Sequence, residues 1–223
     1  MHGMEKMNKS KIINIVALTV NSIIVILVFY AICSMLIGGI TGNMTSGTET
    51  FRYFTNLSNI LVGFMTMLII PFNINSIVCG KNEVPLWAIL CQFIGTVAIS
   101  VTFLTCICFL GPMQGFSMIF AGPCLYLHGI IPILSIISTI FLSIEEEIPL
   151  KLVPLGLLST FLYSIVYVIT VVILKVWPDF YGFTFGGKMW AVPISLIVMY
   201  LVTLGISYGL YFVQNCIHKK MGL

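Results

Sequence analysis

Membrane-length apolar runs, separated by short polar or Gly/Pro-rich joints, follow one another along this whole chain. We read six of them: residues 12–40, 51–70, 85–110, 124–144, 152–176 and 189–213. A helix needs about 20 predominantly apolar residues to cross a bilayer. The expected fold is therefore all-α, a polytopic membrane protein with a six-transmembrane-helix bundle over residues 1–223. Composition agrees: only 8% of residues are charged, against roughly 25% in a soluble domain. The length accommodates one such bundle and no separate soluble domain.

The joints carry the topology. Six spans put both termini on one side. Lys6, Lys9, Lys11, Lys81, Lys151, Lys219 and Lys220 fall on that side, and Arg52, Lys175 and Lys188 on the other. The positive-inside rule makes the first side cytoplasmic. Pro71, with Asn73, Asn75 and Ser76, is expected to end the second span. Gly111-Pro112 and Gly122-Pro123 bracket a charge-free segment, Met113 to Ala121. Such a segment is expected to lie at the interface or fold back over the bundle.

Several function classes fall away. A net charge of +3, scattered in ones and twos, does not suit nucleic acid. The seven cysteines sit mostly inside apolar runs without a CxxC, and read as small apolar residues. The three histidines are far apart and there is no HExxH, so neither a metal nor another cofactor is expected.

One stretch departs from the greasy pattern. Phe51-Arg52-Tyr53-Phe54-Thr55-Asn56-Leu57-Ser58-Asn59 opens the second run with four hydroxyl or amide side chains in five residues. Polar groups are costly in hydrocarbon unless they are paired or used. Thr55, Ser58 and Asn59 share a helix face by their spacing, and Asn56 lies off it. His128 is the intramembrane histidine, four residues into its own run. Pro132 cannot donate to the carbonyl four residues earlier, so a bend is expected beside the imidazole. The second and fourth spans enter from the same side. Thr55 and His128 each lie roughly 6 Å in, at one depth if the two helices adjoin.

A hydroxyl nucleophile needs a neighbouring base, and a neutral imidazole suits that task. Asn56, Asn59 or backbone N–H groups could hold a developing oxyanion. Ser58 is a rival nucleophile and otherwise a supporting residue. Arg52 could meet a lipid head group or merely reach for the interface. Equally, Thr, Ser and Asn in membrane helices join neighbours through hydrogen bonds of about 0.6 kcal/mol each. Tyr163 and Tyr167 read as packing aromatics with satisfied hydroxyls.

These residues resemble a known group. Phe51-Arg52-Tyr53-Phe54-Thr55 is similar to an aromatic-basic-aromatic-apolar-Thr element of the androgen-induced membrane hydrolase family, multi-span threonine hydrolases that cleave fatty acid esters of hydroxy fatty acids. Phe54-Thr55-Asn56-Leu57-Ser58-Asn59 looks closer still to the Phe-Thr-x-x-Ser-Asn pattern of small bacterial relatives. His128-Gly129-Ile130-Ile131-Pro132 resembles the family's His segment, and Trp177-Pro178-Asp179-Phe180 its aromatic-Pro segment between the last two helices. The resemblance implies Thr55 as catalytic threonine and His128 as catalytic histidine. Bacterial relatives often carry an acidic residue where this chain has Ser138.

The expected function is hydrolysis of a lipid ester, in the membrane of a bacterial cell, with membrane lipids and the ester as partners. The alternative is a non-enzymatic membrane protein: a small-solute or proton pathway through residues such as Asn14, Asn21, Ser22, Gln92, Ser100 and Thr102, or an interaction scaffold.

Overall fold

In a computed structural model of the chain, six helices carry the apolar runs. They are α1 (Lys11–Ile37), α2 (Phe54–Cys79), α3 (Leu86–Gln114), α4 (Pro123–Leu142), α5 (Leu150–Ile173) and α6 (Ala191–Lys220). Each is long and apolar enough to cross a membrane, and no strand occurs among the described residues. The protein is an all-α integral membrane protein. The structure describes residues 2–37, 47–80, 84–143 and 147–221, with 2–10, 48 and 221 described by backbone alone. The end of the first run at Ile40, the joint at Lys81 and Glu83, and Glu145-Glu146 lie outside them.

The second helix corrects the sequence expectation most. It runs through Pro71 to Cys79 and stops at Gly80, whose N–H donates to the Ser76 carbonyl at 3.1 Å with φ 67°. Hydrocarbon penalises any open backbone, so a helix continues past one proline more readily than it would in water. Asn73 and Ser76, read as loop residues, are inward-facing and buried. Likewise α6 continues past Val213, because Gln214 and His218 are buried against the bundle. The ends of α4 and α5 differ from expectation by one to three residues.

Helix α3 is the axis of the bundle. Its most apolar window is 56% buried in protein, against 17% for α6. Ile99 joins Ile24 and Val28 of α1, Val62 of α2 and Leu127 and Ile131 of α4 in one buried cluster. Ala88, Phe93 and Val97 of α3 join Val153 of α5 and Leu210 of α6 in another. Small residues let the helices close up. A Cβ on Gly95 would stand 3.1 Å from the Val62 Cα, and one on Gly156 would stand 2.4 Å from the Ser207 hydroxyl.

A chain of buried amides and hydroxyls ties α1 to α4 away from the candidate site. Asn73 donates to Asn14 at 3.4 Å, and Asn21 donates to Asn73 at 3.0 Å. Ser138 donates to Asn21 at 2.6 Å, and Gln92 donates to Ser138 at 3.0 Å. Thr96 of α3 and Thr139 of α4 share a further bond at 2.7 Å. Four of the helices are thus joined by directional contacts that apolar packing alone would not specify.

Between α3 and α4 the charge-free segment folds back over the bundle end. It forms a single helical turn, Phe116–Ile119, between Gly115 with φ 92° and Gly122 with φ 52°. Both glycines adopt backbone conformations that L side chains rarely enter.

Candidate functional site

Helix α4 is not regular at His128. Residues Tyr126–Ile130 form a π-helical turn, in which Ile131 N–H bonds to the Tyr126 carbonyl five residues back. In that register Pro132 fails the carbonyl of Leu127, not the carbonyl of His128. The expected open acceptor therefore moves one residue along the chain. It is taken by Asn59, whose Nδ2 donates to the Leu127 carbonyl at 3.1 Å. Helices α2 and α4 adjoin through this bond.

The Asn59 amide also donates to the Thr55 carbonyl at 2.7 Å. Ser58 Oγ donates to that same carbonyl at 2.9 Å and shares a 2.8 Å bond with Thr102 of α3. The face expected to hold Thr55, Ser58 and Asn59 together is thus divided. Ser58 and Asn59 are buried and turned to neighbouring helices, while Thr55 is half-buried.

Thr55 and His128 line one cavity of about 580 Å³ at the end of the bundle where α2 and α4 begin. Asn56 lines it as well, and its Nδ2 donates to the Thr50 carbonyl at 2.8 Å. Leu110 and Gln114 enter from the end of α3, and Ser117, Met118 and Ile119 from the folded-back turn. Phe180 and Tyr181 close the side nearest α5. Ser58, Asn59 and Arg52 are not among the lining residues.

His128 is 5% exposed. Its Nδ1–H donates to the Ile119 carbonyl at 2.7 Å. A carbonyl can only accept, so this bond fixes the tautomer and leaves the lone pair on Nε2. The orienting partner is thus a main-chain carbonyl of the folded-back turn. Ser138, ten residues on, is engaged with Asn21 and Gln92 in the buried amide chain.

Tyrosines fix the start of α2. The Phe54 N–H donates to the Tyr181 hydroxyl at 2.8 Å, and the Tyr163 hydroxyl donates to the Arg52 carbonyl at 2.6 Å. The Asn56 and Leu57 N–H groups bond to the Tyr53 carbonyl. The Thr55 N–H lies in the first turn, where the helix itself supplies no acceptor. Arg52 pairs with Glu49 at 3.1 Å and lies 5.8 Å from the Trp177 ring centroid.

The Trp177-to-Tyr181 segment is organised by Asp179. Its carboxylate accepts from the hydroxyls of Tyr167 and Thr184 and from the N–H groups of Phe183 and Thr184. Partial burial pushes the Asp179 carboxyl up, but these bonds outweigh it and hold the group below the usual carboxylate range. Tyr163 and Tyr167 have the satisfied hydroxyls expected of them, and both also anchor the walls of the site.

Sequence reasoning did not single out Tyr53, Gln114, Ser117, Cys124 or Tyr181 as cavity residues. Gln114 and Ser117 could have been found as the polar side chains of a charge-free joint. Cys124, one turn before His128, was hidden by its apolar surroundings.

No family model, curated protein or solved structure matches the chain.

Proposed function

We propose that the protein is an intramembrane hydrolase of lipid esters, with Thr55 as nucleophile and His128 as base. One observation carries this reading: Thr55 of α2 and His128 of α4 are lining residues of the same cavity. The resemblance to the androgen-induced membrane hydrolases supports the same pair.

The steps follow from the chemistry of the two groups. Thr55 Oγ attacks the ester carbonyl carbon while His128 Nε2 takes the hydroxyl proton. The Thr55 N–H and the Asn56 amide supply donors for the oxyanion, and the positive end of α2 favours it. The tetrahedral adduct collapses, and His128 returns its proton to the departing alcohol. Water, deprotonated by His128, then cleaves the acyl-threonine, releases the fatty acid and restores Thr55.

The distribution of basic residues supports a topology with both termini cytoplasmic and the site in the outer leaflet, and the resemblance to small bacterial relatives supports a bacterial cell membrane. A fluorophosphonate probe on purified protein, followed by peptide mapping, tests the nucleophile. Label on Thr55 is expected; label on Ser58 would reject the assignment.

A solute or proton pathway is the second reading. It is favoured by the amides and hydroxyls buried along α1 to α4. Flux in reconstituted liposomes without ester hydrolysis would select it.

A further inference from the structure

The turn that orients His128 has two faces. Ile119, whose carbonyl accepts from His128 Nδ1–H at 2.7 Å, is only 4% exposed. Phe116 and Met118 beside it are 50% and 39% exposed, and Met113, just ahead of the turn, is 80% exposed. Rings hold the inner face down. Phe116 lies on Gly111, where an added Cβ would stand 2.3 Å from the ring, and runs parallel to Phe120 with 6.4 Å between centroids. Phe120 rests on Gly129, the neighbour of His128, where an added Cβ would stand 3.4 Å from the ring. Gly115 and Gly122 are the joints at either end.

The sequence from Phe109 to Leu125 contains no Asp, Glu, Lys or Arg. This stretch joins the ends of two membrane-length helices, α3 and α4, at the end of the bundle where the cavity lies. It therefore stands where head groups give way to acyl chains. Exposed Phe and Met side chains suit that zone and not open water. The cations of this end, Arg52, Lys175 and Lys188, belong to other joints, so the seat of the turn is apolar. Lifting the turn off the bundle into water would bring Phe116, Met118 and Ile119 out together, which the hydrophobic effect opposes. A charge on the outer face would reverse that preference. In water a neutral imidazole prefers its proton on Nε2, the opposite of what the proposed base requires. The Ile119 carbonyl imposes the useful tautomer only while the turn is down.

Resting on the hydrolase reading, we infer that the turn between Gly115 and Gly122 is a lipid-seated lid. Its outer face docks in the acyl boundary of the leaflet at that end, and this docking keeps the Ile119 carbonyl on His128. The bilayer thereby regulates the base: His128 is held ready when the lid is seated in lipid, and released from its tautomer when the lid lifts.

Two measurements on the full chain in phosphatidylcholine vesicles test this. The first reads the seat. Met113→Trp, in a chain whose Trp87, Trp177 and Trp190 are replaced by Phe, is expected to lose most of its emission when the lipid chains are brominated. Emission quenched by aqueous iodide but not by brominated lipid would overturn the seat, and so would quenching by neither, as a protein partner or a second copy covering the face would give. The second reads the lock, by nitrogen NMR of ring-labelled histidine, with the His128 signal identified by its loss in His128→Ala. Wild type and Phe116→Leu are expected to show His128 protonated on Nδ1. Phe116→Glu is expected to lose that form to the Nε2–H tautomer, and Met113→Glu serves in its place if that protein does not fold. A Nδ1–H signal undiminished in the folded Glu variant, or lost equally in Phe116→Leu, would overturn the lid. Ester turnover is recorded in parallel. A lock that responds to the Glu variant in a protein that hydrolyses no ester would sink the hydrolase reading and leave the lid standing; turnover with an unresponsive lock would do the reverse.

Discussion

Asn59 of α2 clasps Leu127 of α4: its Nδ2 donates to the Leu127 carbonyl at 3.1 Å, and to the Thr55 carbonyl at 2.7 Å. One amide thus spans from the turn that carries Thr55 to the residue beside His128. The bond exists because Pro132 and the π-helical turn leave that carbonyl without a main-chain donor. An irregularity written by a proline on one helix is met by a polar side chain on another.

Replacing Asn59 with Leu removes both bonds and leaves a buried carbonyl unmet. The expected loss of stability is about 1–3 kcal/mol. Thermal unfolding in detergent, compared with Val62→Ala as a packing control, measures it. An Asn59→Leu protein with an unchanged midpoint would show that the clasp contributes nothing.

Pro132→Ala should act in the opposite sense on the helix. The new N–H can pair with the Leu127 carbonyl or allow the turn to tighten to the regular register. Tightening by one residue would rotate His128 by roughly 100° around the helix axis. Stability is expected to hold or rise, while ester turnover falls at least about tenfold. Turnover equal to wild type in a protein shown by cross-linking to have a regular turn would contradict the role given to the wide turn.

Much of this arrangement was legible beforehand. The six spans follow from apolar length, and the Thr55 and His128 positions follow from polar groups standing where hydrocarbon disfavours them. Residue spacing did not show how the Thr55, Ser58 and Asn59 face divides, because α2 meets α3 on one side and α4 on the other. Pro71 misled for a physical reason: turn statistics from water overstate its power to end a helix in lipid. The π-helical turn was also hidden, since its register depends on which neighbour satisfies Leu127.

Asp179 gives a pH prediction. Its folded carboxyl titrates below the ordinary value of about 3.9, so its contribution is complete above that value and is lost as pH falls through the lower folded one. Asp179→Asn should destabilise the segment carrying Phe180 and Tyr181 at pH 7. The gap between wild type and variant should shrink below about pH 4. Limited proteolysis between Trp177 and Lys188 across pH follows it. A gap that widened in acid would reverse the sign and contradict the assignment.

The central claim is that Thr55 and His128 act as one unit on an ester. Turnover of a fluorogenic fatty-acyl ester by purified wild type, Thr55→Ala, His128→Ala and Ser58→Ala tests it most directly, with unfolding midpoints recorded for each. Wild type should hydrolyse the ester, Ser58→Ala should retain activity, and Thr55→Ala and His128→Ala should each lose about a hundredfold or more while remaining folded. Wild-type rates in either Thr55→Ala or His128→Ala would contradict the account.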